Sequence, residues 1–515
     1  MPPWINLTKA ERGSAEWWLP RLEQRLIARQ TGMTLFDDYY HGRHRMTYHT
    51  ARVLAAFGTT FKDLRMNYCG VVVDALTERL EVQGFRIGRD QAAADAAWEI
   101  WQRNRLDASF ARGIRAGLTK GEFSLIVWVD GSGEPRISVE DGSEVYVATN
   151  PGNPHDRRAA LKRWRDEDER RLYACVYLPD GIYKFRSEAG DVTGIRQLGE
   201  LPEGFGRAGG AGTRLPTAAA STMRWERWLV DGEDWPLANP FDIVPVIPLP
   251  NKPDIFGVGE SELAAIVPIQ DGLNANIVNV MLAGQFSAFR QKWAANVDLE
   301  IDEVTGKPKE PWVIDVATML TAPPSELPGG PEVKFGEFDQ TDLKGYTGLH
   351  ETYVQGMATI SRTPPHYFLG QSGNFPSGES LRSAEAGLTF KARDRIRDGS
   401  EPVEEAMMLA FLMKSRQGSL SSSAAARFAK WATRIDSEAL WRDPETKTES
   451  EHVDALVKLR SIDVPREVVW SKIPATPQEI ELWKSMPAPP AVEPAPSAPP
   501  MPPGMPPEMQ PPVTQ

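Results

Sequence analysis

The residue pair that most constrains this chain is Pro364-Pro365, because it separates two helical patterns that no single helix can join. Proline has no N–H to donate and biases the residue before it toward an extended conformation, so the pattern reaching Arg362-Thr363 must stop there. A polar, glycine-rich loop follows, with Tyr367, Phe368 and Leu369 as its one apolar cluster. Ser377 then reads as an N-cap, and apolar residues recur at Leu381, Ala384, Leu388, Ala392 and Ile396. Spacings of three and four place them in one stripe on a helix. The other face carries Arg382, Glu385, Lys391, Arg393, Asp394, Arg395 and Arg397. Two helices thus flank an ordered loop, and the stretch carries no catalytic constellation.

Upstream, Ile266, Ile269, Leu273, Ile277 and Val280 recur at helical spacing, opposite Gln270, Asp271, Asn274, Asn276 and Asn279. A helix from Ser261 to Lys292 would be on the order of 45 Å long. Its asparagines suit a polar helix-to-helix interface. Residues 296–338 break the pattern with extended and Pro/Gly segments, which fits a small β-containing insertion. A second helix is expected from Gln340 to Ser361, with Leu343, Tyr346, Leu349, Tyr353, Met357 and Ile360 on one face.

The N-terminal half has a different texture. Residues 14–30, 60–80, 90–105 and 107–120 read as helices, with an aromatic and histidine-rich connection, FDDYYHGRHRM, between the first two and a strand, EVQGFRI, after the second. From Glu122 to Tyr183 the period changes to alternation between turn residues, which predicts an antiparallel sheet and an α+β class. Residues 199–222 are rich in Gly, Ala and Pro and read as a flexible loop; extended segments broken by proline then run to Asp254. Beyond Asp398, Gly399-Ser400 and Pro402 predict a kink or break in the long helix. Helices are expected again in TESEHVDALVKLRSI and in TPQEIELWKSM, the latter opening on a capping box. The segment from Pro487 onward is so rich in proline and poor in charge that it reads as a disordered, polyproline-biased tail.

Composition narrows the function. A length of 515 residues allows two to four domains with real cores. The net charge of -12 argues against a protein that coats nucleic acid through a general basic surface, though not against one past which nucleic acid slides. Cys69 and Cys175 fit no disulfide or metal framework. No apolar run is long enough for a membrane span, and MPPWINLTKAERG lacks the order of a signal peptide, so a cytosolic origin is the default expectation. No phosphate-binding G-x-x-x-x-G-K-[ST] occurs, and Gly257-Val258-Gly259 lacks the third glycine of a dinucleotide fingerprint. Asp37, Asp38, His41, His44 and His49 lie close in sequence but match no standard ligand spacing, so neither metal nor cofactor is expected.

Four segments in this order resemble the portal proteins of tailed bacteriophages, in the branch common among actinobacterial phages. They are FDDYYHGRHRM, MNYCGVVVDALTERLEVQGFRI, GVGESELAAIVPIQDGLNANIVNVML and TISRTPPHYFLGQSGNFPSGESLRSAEAGLTFKARDRI, within residues 35–485. The resemblance implies a non-enzymatic α+β subunit of a ring of twelve copies at one capsid vertex. Such a ring is a channel for double-stranded DNA in packaging and ejection. It is assembled in the bacterial host cytoplasm with scaffolding and major capsid proteins, is carried in the virion, and meets terminase and a head-tail adaptor. On this chain it implies a wing (1–260), a stem helix (261–291), a clip (292–338), a second stem helix (339–362) and a tunnel loop (363–377). A long kinked wing helix (378–416), a helical crown (417–486) and the Pro-rich tail (487–515) complete the plan.

The resemblance implies that His366, Tyr367, Gln371, Ser372, Asn374 and Phe375 lie near DNA, and that Lys307, Lys309 and Trp312 form the clip's docking edge. Ile269, Leu273, Ile277 and Val280 would pack the stem, so Asp at Leu273 or Ile277 should abolish rings. Lys391, Arg393, Arg395 and Arg397 are the candidate phosphate-facing set, the other reading being a solvated helix face paired with Asp394 and Asp398 or with a neighbouring subunit. Two further readings of the chain stand beside this one: a scaffold of another large assembly, and a metal-dependent hydrolase centred on Asp37, Asp38, His41 and His44.

Overall fold

The computed structural model describes residues 5, 7–44, 66–188, 224–288, 292–296, 334–337, 344–369, 378–416, 420–445, 449–462, 464–465, 469 and 485. The chain forms two compact units, Met1–Glu445 and Thr446–Gln515.

The first unit is α+β. Helix α1 (Ala15–Tyr40) starts at Ser14, whose hydroxyl accepts from the Trp17 N–H at 3.2 Å. It continues through Phe36-Asp37-Asp38-Tyr39-Tyr40, which was expected in a connection; Tyr39 is buried and extends the helix's inward face. Helix α2 (Cys69–Thr77), strand β1 (Val82–Ile87) and helices α3 (Gln91–Arg103) and α4 (Leu106–Lys120) follow.

The alternating region yields two antiparallel sheets, not one. Strands β2 (Glu122–Val129) and β3 (Pro135–Asp141) join β10 (Val246–Pro250) in the order β10-β2-β3. The second sheet runs β4 (Val145–Asn150), β5 (Asn153–Asp166), β6 (Arg171–Tyr177), β7 (Gly181–Ser187) and β8 (Trp225–Arg227), with β9 (Leu237–Ala238) also on β7. The period-two pattern of β6 shows why they stack. Leu172, Ala174 and Val176 pack on Leu19, Leu22 and Leu26 of α1, whereas Cys175 and Tyr177 meet Ile126 and Val246 of the first sheet. Residues 199–222 lie outside the described residues.

Two helices, α5 (Val267–Ala288) and α6 (Lys344–Ser361), pack against each other. Between them, β11 (Lys292–Ala295) and β12 (Lys334–Glu337) pair antiparallel, in the region expected to hold a β-containing insertion. Lys307, Lys309 and Trp312 fall outside the described residues. A helical turn, α7 (His366–Leu369), precedes α8 (Gly378–Ser415), and α9 (Ser422–Ala432) packs Phe428 and Trp431 on Phe411 of α8.

Two expectations change here. Of the kink or break expected in the long helix, the break does not occur: α8 runs unbroken through Gly399-Ser400-Glu401-Pro402. Ser400 helps hold this turn, donating to the Ile396 carbonyl at 2.7 Å and accepting from Trp441 Nε1 at 2.9 Å. Trp441 belongs to an unexpected strand, β13 (Ser437–Trp441), which pairs antiparallel with β1. The first compact unit takes in residues 420–445. In the second unit, α10 (Glu449–Ser461) appears as expected, while 476–486 and the tail lie outside the described residues.

Candidate functional site

The helical pair carries Ile269, Leu273, Ile277 and Val280, and Lys391 and Arg395 meet its attachment to the sheets at Glu262. Gly259 sets the attachment. A Cβ there would lie 2.0 Å from the backbone oxygen of Gly121, so only glycine lets the chain pass between α4 and β10. Ser261 then donates to the Thr119 carbonyl at 2.5 Å, while the Asn251 N–H donates to the Gly121 carbonyl and Asn251 both accepts from the Glu260 N–H and donates its Nδ2 to the Glu260 carbonyl. Gly259→Ala is expected to destabilise the fold by about 1–3 kcal/mol, because neither backbone can yield cheaply. A melt showing no change would contradict that packing.

Past this point, α5 turns Leu273 into the core, fully buried, while Ile269 and Ile277 are partly buried against it and Val280 is half-buried. The polar face meets the chain's own backbone. Gln270 accepts from the Tyr68 N–H at 3.0 Å and donates to the Met66 carbonyl; Asn274 accepts from the Met66 N–H at 3.1 Å. Asp271 accepts from the Tyr39 hydroxyl at 2.6 Å, and Asn276 donates to the Tyr346 carbonyl at 3.0 Å across the helical pair. Of the expected polar set, Asn276 makes the helix-to-helix bond, Gln270, Asp271 and Asn274 hold the N-terminal segment, and Asn279 is exposed.

On α6 the buried stripe is offset from the expected one. Val354, Met357, Ala358 and Ser361 face inward, so Leu349 (43% exposed) and Ile360 (53%) stay outside. Helix α6 ends with Arg362 in the left-handed region, and the Thr363 N–H reaches back to the Ala358 carbonyl.

The loop after Pro365 begins by turning inward. Arg79, buried, donates to the Tyr367 hydroxyl at 3.1 Å and to the Pro444 carbonyl at 2.6 Å, and lies 3.4 Å from Glu385. His366 sits 3.8 Å from the same carboxylate, and Phe368 is buried edge-on to Tyr68. His366 and Tyr367 thus anchor the loop to the subunit body rather than stand free of it. Gln371, Ser372, Asn374 and Phe375 lie outside the described residues.

The four basic candidates on α8 do not share a surface. Lys391 is buried, donating to the Ser361 carbonyl at the end of α6 (2.9 Å) and pairing with Glu262 at 2.8 Å. Arg395 pairs with Glu262 at 2.7 Å. Arg393 lies 3.5 Å from Glu445, and Arg397 pairs with Asp394 at 3.0 Å and reaches Asp398 at 3.9 Å. Lys391 and Arg395 adjoin Ala392 and Ile396 of the apolar stripe, so they too face inward, which a buried carboxylate makes tolerable. Arg397 realises the solvated, acid-paired alternative.

Glu262 is the residue the sequence reading missed; its one signal is an acidic pair, Glu260 and Glu262, ahead of an apolar run. Burial pushes its carboxyl up, but Lys391 and Arg395 together outweigh burial and hold it below the ordinary 4.5. Burial also depresses Lys391, only partly offset by Glu262. A depressed carboxylate stabilises the fold above its unfolded pKa and loses that contribution as pH falls through its folded value. Stability is therefore expected to decline as pH falls below that ordinary value of 4.5, and more shallowly in Glu262→Gln. Identical acid limbs in urea titrations of the two proteins would contradict the assignment.

The described part of the histidine-rich segment is held by contacts within the fold. Asp37 pairs with Arg43 at 2.5 Å and lies 3.6 Å from His41, while His44 stacks on Tyr39 (centroids 4.0 Å apart) and accepts from Asn274 at 2.9 Å. His49 is outside the described residues. Among the described residues no group of three or more His, Cys, Asp or Glu is placed to hold a metal ion, and no helix is long and apolar enough to cross a membrane. Cys69 and Cys175 are buried, their thiols pushed up to about 12 by burial.

A family model for phage portal proteins of the SPP1 Gp6-like type matches residues 21–488. The portal protein of Mycobacterium phage D29 is 24% identical over 456 residues, covering 84% of this chain and 82% of its own length. That of Mycobacterium phage L5 is 23% identical over 412 residues, covering 76% and 72%. The family match takes in both sheets, the helical pair and the long helix, and so accounts for the whole architecture around Glu262: the chain belongs to the SPP1 Gp6-like family of phage portal proteins.

Proposed function

We propose that this chain is the subunit of a ring, built from twelve copies, that sits at one vertex of a phage capsid. The ring is the channel for double-stranded DNA in packaging and ejection, and the platform on which terminase and then the head-tail adaptor dock. Its role is structural, without catalysis or cofactor. It assembles in the bacterial cytoplasm with scaffolding and major capsid proteins and stays in the virion. The observation that carries the proposal is the family match over residues 21–488.

In this reading α5 and α6 are the stem, β11 and β12 lie in the clip, and the loop 363–377 faces the channel. The sheets and α8 belong to the wing, and residues 417–486 to the crown. Docking through Lys307, Lys309 and Trp312, and contact of Gln371, Ser372, Asn374 and Phe375 with DNA, are parts of the same proposal. A net charge of -12 suits a conduit that DNA must not grip, since each phosphate contact would oppose sliding. The uncovered Leu349 and Ile360 on α6 suit a stem that a neighbouring copy covers. Ile360→Asp is expected to leave the subunit folded, by circular dichroism and melting, while closed rings disappear from native mass spectra. Rings that persist in that variant would remove Ile360 from the interface.

A further inference from the structure

Between Asn251 and Glu260 the chain turns back on itself, and the Glu260 N–H reaches the Asn251 carbonyl at 2.8 Å. The tip of this turn is fixed around Asp254. The Asp254 and Gly257 N–H groups donate to the Val258 and Asp254 carbonyls, both at 3.0 Å. Asp254 Oδ1 accepts from the Phe256 and Val258 N–H groups at 2.9 Å each, and Gly257 supplies a left-handed φ of 79°. Such a turn asks for Asp254 and Gly257 alone. It nonetheless carries Ile255 (87% exposed), Phe256 (69%) and Val258 (62%) outward. Single exposed apolar residues are ordinary, whereas three within four positions on a fixed backbone mark a contact surface.

We infer that this tip is a knob by which one subunit seats on the next copy of the same chain. The inference rests on the ring proposed above and names one part of its contact surface. Shape narrows the occupant first: a protruding tip encloses no small molecule, so whatever covers it must bring the hollow, as a folded protein does. Charge disfavours DNA and an anionic membrane, because the one cation of the hairpin, Lys252, is paired with Glu260 at 2.6 Å, beside Asp254. Position then favours a second copy. Glu262, two residues past the hairpin, is joined through Lys391 to the Ser361 carbonyl that closes α6. The tip therefore leaves from the same end of the helical pair at which Ile360 stands uncovered. In a rotational assembly each copy offers one patch to a different patch on the next, so the knob needs no matching knob. Its backbone is already held, so docking has only side chains to order.

The test compares the full-length chain with Phe256→Asp and Phe256→Leu by native mass spectrometry, and adds a photo-crosslinking amino acid at position 256. Phe256→Asp should melt as the unaltered chain does, since the side chain touches no core, while closed rings fall by roughly tenfold or more. Phe256→Leu keeps an apolar contact and should keep the rings. Irradiation should give covalent products at multiples of 57.2 kDa. Rings persisting in Phe256→Asp, or cross-links from 256 only to other proteins, would overturn the knob and leave the ring standing. Self-cross-links from 256 in a chain that forms no ring would instead sustain the contact and overturn the ring.

Discussion

Glu262→Gln is expected to cost the folded subunit about 3–5 kcal/mol, the range for removing one partner of a buried charge cluster. The carboxylate is the single acceptor between two cations, 2.8 Å from Lys391 and 2.7 Å from Arg395. The side chains of Lys391 and Glu262 are 7% and 6% exposed, so water cannot take over the lost pairing. The cluster also joins three elements: Glu262 leads into α5, Lys391 lies on α8, and its amine holds the last carbonyl of α6. Its loss should therefore loosen the helical pair from the sheets. Adding Lys391→Met removes the stranded charge and should recover part of the loss. Urea unfolding of the single and double variants measures both, and a double variant no more stable than Glu262→Gln would show that the stranded amine is not the source of the cost.

Leu273→Asp is expected to have the largest effect of all, beyond about 4–5 kcal/mol, because it places an unpaired carboxylate in the core. Leu273 is 0% exposed, packed in the cluster that includes Leu263, Ile266, Val354 and Met357. The resemblance implies that it packs the stem, so that Asp there abolishes rings. Leu273 is buried in the subunit's own core, so the variant should lose rings by failing to fold and appear in the insoluble fraction. A soluble, cooperatively melting Leu273→Asp monomer would contradict this placement. Ile360→Asp, on the exposed face of α6, is the contrasting substitution.

The difference between these two residues marks what periodicity conveys. The spacing of Ile269, Leu273, Ile277 and Val280 was enough to find α5, and that of Leu388, Ala392 and Ile396 enough to find α8. Periodicity names a face without naming what covers it. Gln270 bonds to the N–H of Tyr68, 202 positions away, and no local pattern encodes such a partner. β13 was missed for the same reason: a five-residue strand between helical segments gains its hydrogen bonds from β1. Lys391 and Arg395 looked like a surface because a charge is ordinarily outside, and only the position of Glu262 reverses that expectation.

Closure of this chain into a ring around a channel is decided by the mass and symmetry of the purified protein. Native mass spectrometry with electron microscopy should find a closed ring of about twelve copies of a 57.2 kDa subunit, with an axial hole wide enough for duplex DNA. A compact dimer or tetramer without a hole would contradict the account.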